Sequence, residues 1–293
     1  MKKVENITNK KLKINLKTII KLAMIIAFLL FLIVGLYNKL CIKKYVVESD
    51  KIENRIRIAL ISDLHSCQYG EKQQELIEAV DAQHPDLILM TGDIFDDAIS
   101  DANTEYFLQG IAEKYPCYYV TGNHEYWSGS THFHEKMNLL EQHHVNILSG
   151  TWETITVQEE TINLCGVDDP DAYLIAPTAN PNTQHFTEQL NQVKMASENG
   201  YYTILLSHRP EYFDLYVDSF DLVLCGHAHG GQWRIPGLLN GLYAPDQGLF
   251  PKYAGGDYQG GNTTMIVSRG LARESTRIPR FYNWSELVVI DLQ

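Results

Sequence analysis

Five short segments of this chain each close an apolar, strand-like run with side chains that suit divalent metals. They are Asp63-Leu64-His65 after RIALIS, Gly92-Asp93 after DLILMT, Gly122-Asn123-His124-Glu125 after YYV, His208 after YTILLS, and Gly226-His227-Ala228-His229 after DLVLC. Carboxylate, amide and imidazole are hard or borderline donors of the kind such ions prefer. Loops just beyond strand C-termini are also where open α/β sheets place their chemistry. A lone D-x-H or Gly-Asp is weak; five such pieces, each at the end of a strand-like run, constrain the fold and the chemistry together.

The order of elements agrees. Strands are expected at 55–62, 86–91 and 117–121, alternating with helical spacing at 72–83 and 103–114. This βαβαβ pattern implies parallel pairing with helices covering the sheet. A helix is expected at 133–143, then a hairpin over 151–158 and 161–167 and a helix over 186–197. Buried strands follow at 201–207 and 220–225, with late strands at 263–268 and 287–292. The expected class is α/β, with two mixed β-sheets sandwiched between helices. The Gly- and Pro-rich stretch 233–261 reads as a long functional loop.

The N-terminus differs. Ile19 to Tyr37 is almost wholly apolar, near the roughly 20 residues that a membrane helix needs. Six lysines precede it against one acid, Glu5, and only Lys39, Lys43 and Lys44 follow closely. That asymmetry predicts a cytoplasmic basic tail (1–18), an uncleaved signal anchor (19–37), a linker (38–51) and an extracytoplasmic domain (52–293). A cleaved signal peptide is the rival, but no A-x-A pattern follows the apolar run. On this division a chain beginning near Val46 would carry every catalytic piece.

Of the 24 basic and 36 acidic residues, ten lysines and one acid lie in 1–44, so the remainder carries 14 basic against 35 acidic residues. This argues against nucleic acid as a partner. The five cysteines show no C-x-x-C spacing, and Cys117, Cys165 and Cys225 read as small core residues.

Phosphoesters resist attack because their anionic oxygens repel a nucleophile. Two nearby cations relieve this repulsion and generate hydroxide near neutral pH. Asp93 is the best candidate for a bridging carboxylate. Asp63 and His65 alternate along one extended segment and so face one way, as do His227 and His229. Asn123 offers a neutral oxygen and His208 another nitrogen. His124 directly follows a ligand candidate and suits proton delivery, the alternative being a structural histidine. Glu125 reads as a loop-orienting group. Arg269, at a strand end beside Gly270, and the pair Gly231 and Gln232 are candidates for binding substrate. Arg234, Arg277 and Arg280 are further basic side chains, and Asp168 and Asp169 follow another strand.

The order D-x-H, G-D, G-N-H-E, H, G-H-x-H resembles the calcineurin-like metallophosphoesterase superfamily over about residues 52–293. The resemblance implies that Asp63, His65, Asp93 and His229 hold one metal and Asp93, Asn123, His208 and His227 the other. It implies that His124 protonates the leaving oxygen or steadies the phosphoryl group. Leu206-Ser-His-Arg-Pro-Glu211, Gly226-His-Ala-His-Gly-Gly-Gln232, Val267-Ser-Arg-Gly270 and Glu286–Leu292 resemble its membrane-anchored bacterial branch. That branch contains phosphodiesterases and enzymes hydrolysing UDP-2,3-diacylglucosamine. Ala272 and Trp284-Ser285 depart from its pattern. Asp96 stands where purple acid phosphatases have a tyrosine ligand.

The expected activity is hydrolysis of a phosphodiester or pyrophosphate, with a lipid-linked, nucleotide-sugar or cell-envelope compound as the expected kind of substrate and two divalent ions (Mn, Fe or Zn). A phosphomonoesterase for cell-wall or lipid head groups and a catalytically silent metal-binding scaffold are the alternatives.

Overall fold

A computed structural model describes residues 15–175, 184–273 and 278–293. Most of the basic tail and the candidate Arg277 lie outside the described residues. The chain enters with helix α1 (Leu16–Leu36), followed by strands β1 (Cys41–Val47) and β2 (Ile56–Ile61), helix α2 (Gln74–Asp81), β3 (Leu87–Thr91), α3 (Ala102–Ile111), β4 (Cys117–Val120), α4 (Asn123–Trp127) and α5 (Ser130–Gln142). Then come β5 (Asn146–Ile147), β6 (Thr151–Val157), β7 (Glu160–Gly166), α6 (Gln184–Val193), β8 (Tyr202–Leu206), α7 (Phe213–Tyr216) and β9 (Leu222–Cys225). The last strands are β10 (Tyr243–Ala244), β11 (Gly248–Leu249), β12 (Gly256–Gly260), β13 (Thr263–Val267) and β14 (Glu286–Leu292).

Two six-stranded mixed sheets form, in the orders β1-β14-β2-β3-β4-β5 and β12-β13-β9-β8-β7-β6. Side chains alternate across a strand, and that period sorts the apolar residues into layers. Ile56, Ile58 and Leu60 of β2 and Leu87 and Leu89 of β3 face inward, against Ile162 and Leu164 of β7 and Ile204 and Leu206 of β8. The intervening Ala59, Ile61, Ile88 and Met90 face the opposite way, onto Leu76, Phe107 and Leu140 of the first sheet's helices. Leu205, Val223 and Met265 likewise meet Phe186, Leu190 and Val193 of α6 beyond the second sheet. The result is four layers, helices–sheet–sheet–helices, as the strand order predicted. Both sheets aim the C-terminal ends of their parallel strands at one edge of the sandwich.

One expectation fails. Residues 38–51 are not a linker: β1 pairs in parallel with β14 from Cys41↔Glu286 to Val47↔Leu292. Its outer-edge position leaves Lys43 and Lys44 exposed, and its partner is more than 240 residues away, so no local pattern announced it. Part of the long loop 233–261 is also ordered as strand, since β12 pairs with β13.

Among the described residues α1 is the one helix long and apolar enough to cross a bilayer. Its last turns rest on the domain. Tyr282 donates its N–H to Gly35 O (2.7 Å) and its hydroxyl to Phe31 O (3.2 Å). A Cβ at Gly35 would meet Phe281 at 2.2 Å, so glycine is what lets the ring lie against the helix.

Candidate metal centre

All seven proposed ligands gather at that edge, each just beyond a strand. Asp63 and His65 follow β2, Asp93 follows β3, Asn123 opens α4 after β4, His208 follows β8, and His227 and His229 follow β9. All seven are buried. Asp63, His65, Asp93, His227 and His229 have φ of 49°, 48°, 51°, 65° and 46°. Non-glycine residues rarely adopt this left-handed region, and such strain concentrates at functional sites.

The segments are tied to one another. Asp63 N donates to Gly92 O (3.1 Å), and His65 N to Asp93 O (2.9 Å). His227 N donates to Asp63 Oδ1 (2.9 Å), and His124 N to Asp93 Oδ1 (2.9 Å). A Cβ at Gly122 would stand 2.2 Å from Asp93 Oδ1, so only glycine permits this approach of β4 to β3.

Behind the ligands, partners fix the imidazoles. His208 Nδ1 lies 2.7 Å from Thr91 O, which makes that nitrogen the donor and turns Nε2 toward Asp93 Oδ2, 3.1 Å away. His65 Nδ1 lies 3.1 Å from Asp96 Oδ2, leaving its Nε2 facing the centre. His227 Nε2 is 2.9 Å from Asp246 Oδ2. Carboxylates or carbonyls behind ligating histidines are a usual feature of metal sites.

Whether an ion fits is answered by the atoms left over. His65 Nε2, Asn123 Oδ1 and His229 Nδ1 are buried side-chain atoms with no hydrogen-bond partner, and Asp93 Oδ2 faces only the ring nitrogens His208 Nε2 and His65 Nε2, at 3.1 and 3.5 Å. Buried polar atoms are rarely left so. In one group, Asp63, His65, Asp93 and His229 each offer an atom within 4.8 Å of the others; Asp93, His208 and His227 form a second, sharing Asp93. The donor set fits divalent cations, with Asp93 between the two groups.

The electrostatics carry the same message. Burial opposes ionisation of Asp93, but His208, His124 and His65 outweigh it and hold the carboxyl well below its usual range. Burial likewise disfavours the His208 imidazolium, yet Asp93 lifts that group to about 10. Burial, then the neighbouring His65 and Arg280, depress His229.

Asp93, Asn123, His124, His227 and His229 line a cavity of about 370 Å³, together with Trp127, Arg209 and Asp246. His124 is half-buried there, with Nδ1 2.6 Å from Asp97 Oδ1 and its ring 4.4 Å from that of His65. Glu125 anchors the loop as expected, accepting from the N–H groups of Asp93, Ile94, Phe95 and Gly122.

The three substrate-binding candidates lie elsewhere. Arg269 pairs with Glu286 and lines a separate cavity beside Arg234. Gly231 packs on Gly241, and neither it nor Gln232 lines the metal cavity. Sequence reasoning passed over Arg209, which is buried in the cavity wall. Its guanidinium grips Asp169 through Nε and Nη2 (2.7 and 2.9 Å) and Asp246 through Nη1 (2.7 Å). Its position next to His208 was the available signal. Asp96 and Asp97, which orient His65 and His124, were also unrecognised in those roles.

A family model described as calcineurin-like phosphoesterase matches residues 56–231. The chain belongs to that family, and is a metal-dependent hydrolase of phosphoric esters. It is 30% identical over 239 residues to an uncharacterized metallophosphoesterase of Aquifex aeolicus, covering 78% of this chain and 83% of that one. It is 27% identical over 220 residues to phosphodiesterase YaeI of Escherichia coli, covering 73% and 74%. Among solved structures it is similar to GAP50, the anchor in the inner membrane complex of Plasmodium, with a TM-score of 0.50, 13% identity and 81% of each chain covered, a likeness of fold alone.

Proposed function

We propose that the chain is a membrane-anchored phosphodiesterase that uses two divalent ions and acts outside the cytoplasm on a phosphodiester or pyrophosphate of lipid or envelope origin. The observation that carries this reading is the convergence of buried metal-ligating side chains, Asp93, Asn123, His227 and His229, on the wall of a cavity that His124 also faces. Asp63, His65, Asp93 and His229 would hold one ion, and Asp93, Asn123, His208 and His227 the other. Such ions, when bound, neutralise phosphoryl oxygens and activate water.

The rest falls to the side chains. Asp93 sets the spacing of the two groups because its backbone and Oδ1 are fixed while Oδ2 faces His65 of one group and His208 of the other. His124, not needed as a ligand and backed by the Asp97 carboxylate, holds a proton at Nε2 toward the leaving oxygen. The Arg209 guanidinium, paired with Asp169 and Asp246, holds the cavity wall and keeps Asp246 against His227. The name of the YaeI relative favours a diester substrate. The helix α1 supports anchorage, and the lysine excess before it supports an outward-facing domain.

The full chain in detergent, loaded with Mn, Fe or Zn, should hydrolyse bis-p-nitrophenyl phosphate faster than p-nitrophenyl phosphate. Chelation should abolish this turnover and reloading restore it. Turnover of the monoester alone would favour a head-group phosphomonoesterase, and full metal content without turnover a silent scaffold.

A further inference from the structure

A cavity of about 450 Å³ lies outside the metal centre, where α1 meets the domain. Arg234, Arg269 and Asn240 form its polar wall, and the loop 235–239 and Tyr282 form the rest. Tyr282 is the residue that bonds Phe31 and Gly35 of α1, so the cavity adjoins the last turns of the helix. Helix α1 has 21 residues and would be about 31 Å long at 1.5 Å per residue, near the thickness of a bilayer's hydrocarbon core. Phe31 to Leu36 is then its final ~8 Å. The cavity mouth falls at the boundary between acyl chains and head groups.

The surroundings suit that depth. Leu238 is 81% exposed, and Ile235, Trp233 and Ile278 beside it are exposed as well. Trp233 packs on Phe281, which in turn packs on Phe31 of α1. Trp and Tyr concentrate at membrane interfaces. An apolar loop with so little cover in water is well placed against lipid.

The charges do not balance. Arg269 is paired with the buried Glu286, whereas Arg234 makes no ion pair among the described residues. Arg234 reaches only neutral oxygens, Asn240 Oδ1 and Gly230 O, the latter at 3.4 Å. Lys43 and Asp257, which line a neighbouring cavity with the two arginines, add one charge of each sign. One positive charge in a half-buried wall is therefore unmatched, and guanidinium is the side chain best shaped to grip a phosphate.

We propose that this cavity binds the phosphate of an anionic phospholipid of the leaflet in which α1 ends, with Arg234 as the main contact and Arg269 in support. The proposal rests on α1 spanning a membrane. Binding there would hold the domain in one orientation on the bilayer and fix the direction in which the metal cavity opens.

The test uses the full chain in nanodiscs of phosphatidylcholine, with or without phosphatidylglycerol, and native mass spectrometry of the lipids retained on ejection. Failure to enter phosphatidylcholine nanodiscs at all would refute the anchor itself. Once inserted, the wild type should retain phosphatidylglycerol in preference to phosphatidylcholine. R234Q should lower that retention roughly tenfold, the loss of one charge-assisted contact, and R234K should restore much of it. Leu238→Glu, at a position too exposed to affect folding, should also lower it. Equal retention of both lipids, or retention indifferent to R234Q, overturns the proposal. So does displacement by millimolar glycerol phosphate, which would mark a site for a soluble phosphate compound.

Discussion

Glu125 holds the backbone of Asp93. Its Oε2 accepts from Asp93 N at 3.0 Å and from Gly122 N at 2.8 Å, while Oε1 accepts from Ile94 N and Phe95 N at 2.9 and 3.1 Å. One buried carboxylate thus satisfies four amides from two loops and locks the candidate bridging residue in its left-handed conformation. Burial, and then Asp93 nearby, push this carboxyl up to about 7. Glu125→Gln would turn an amide NH₂ toward N–H donors and leave at least one pair facing each other. We expect the fold to survive and metal affinity to fall roughly 10–100-fold, the usual effect of removing a group that orients ligands. Elemental analysis after dialysis against graded metal decides this. Unchanged metal content would show that the loop needs no such lock.

Asp93→Asn asks a different question. A neutral bridge cannot offset two dications, so turnover should vanish and metal content should drop. The isosteric amide still accepts from His124 N, so the loop geometry should persist, although the metal-free protein loses the buried pair with His208 and should melt lower. Both ions retained at near-normal rate would exclude Asp93 as the bridge.

The positions of these residues were legible in the sequence because each lies within a few residues of a strand end, where period-two patterning and ligand residues adjoin. His208, although isolated, followed the apolar run 202–206 and so was found. The supporting groups were not legible, because their work depends on contacts across the fold. Asp96 reaches His65 from 31 positions away, and Arg209 reaches Asp169 from 40. Arg269 illustrates the converse. Its place at a strand end was right, but an arginine beside a buried glutamate turns toward that charge, and here the charge lies away from the metals.

Strand β1 sets the limit of a soluble domain. A chain beginning near Val46 would remove five of the seven residues paired with β14, exposing the edge of a strand buried along nearly its whole length. We expect that truncation to be insoluble or to melt well below the full domain. A chain beginning at Tyr37 retains β1 and also Asn38, whose Oδ1 accepts from Ser285 N at 3.0 Å. It should be soluble and active on a water-soluble diester. Equal melting temperatures for the two would show that β1 adds nothing.

Metal uptake should depend on pH with a definite sign. In the metal-free protein Asp93 raises His208 to about 10, so His208 carries a proton throughout the neutral range. An ion needs the lone pair of Nε2, and so displaces that proton. Apparent metal affinity should rise with pH through neutrality and level off only as His208 loses its proton unaided. Calorimetry of metal binding in buffers of different ionisation enthalpy would detect the released protons. Uptake with no proton release between pH 6 and 9, taken as roughly the neutral range, would contradict the assignment of His208 as a ligand.

His124 faces the metal cavity outside the two groups that share Asp93, though it also clusters with His65 and Asp96, and Asp97 backs its Nδ1 at 2.6 Å. The Asp97 carboxylate orients the ring through Nδ1, which leaves Nε2 as the atom that would deliver a proton. A leaving alkoxide needs that proton, whereas a nitrophenolate departs without it. His124→Ala should therefore keep both metals and lose about 10²–10⁴-fold on an alkyl diester, the range for one general acid, with a smaller loss on a nitrophenyl diester. Asp97→Asn should lower the alkyl-diester rate less than His124→Ala, since the ring keeps its place but loses the carboxylate that orients it. Rates across a leaving-group series separate the roles. An equal loss on every leaving group would mean that His124 steadies the phosphoryl oxygens instead, and loss of a metal would make it structural.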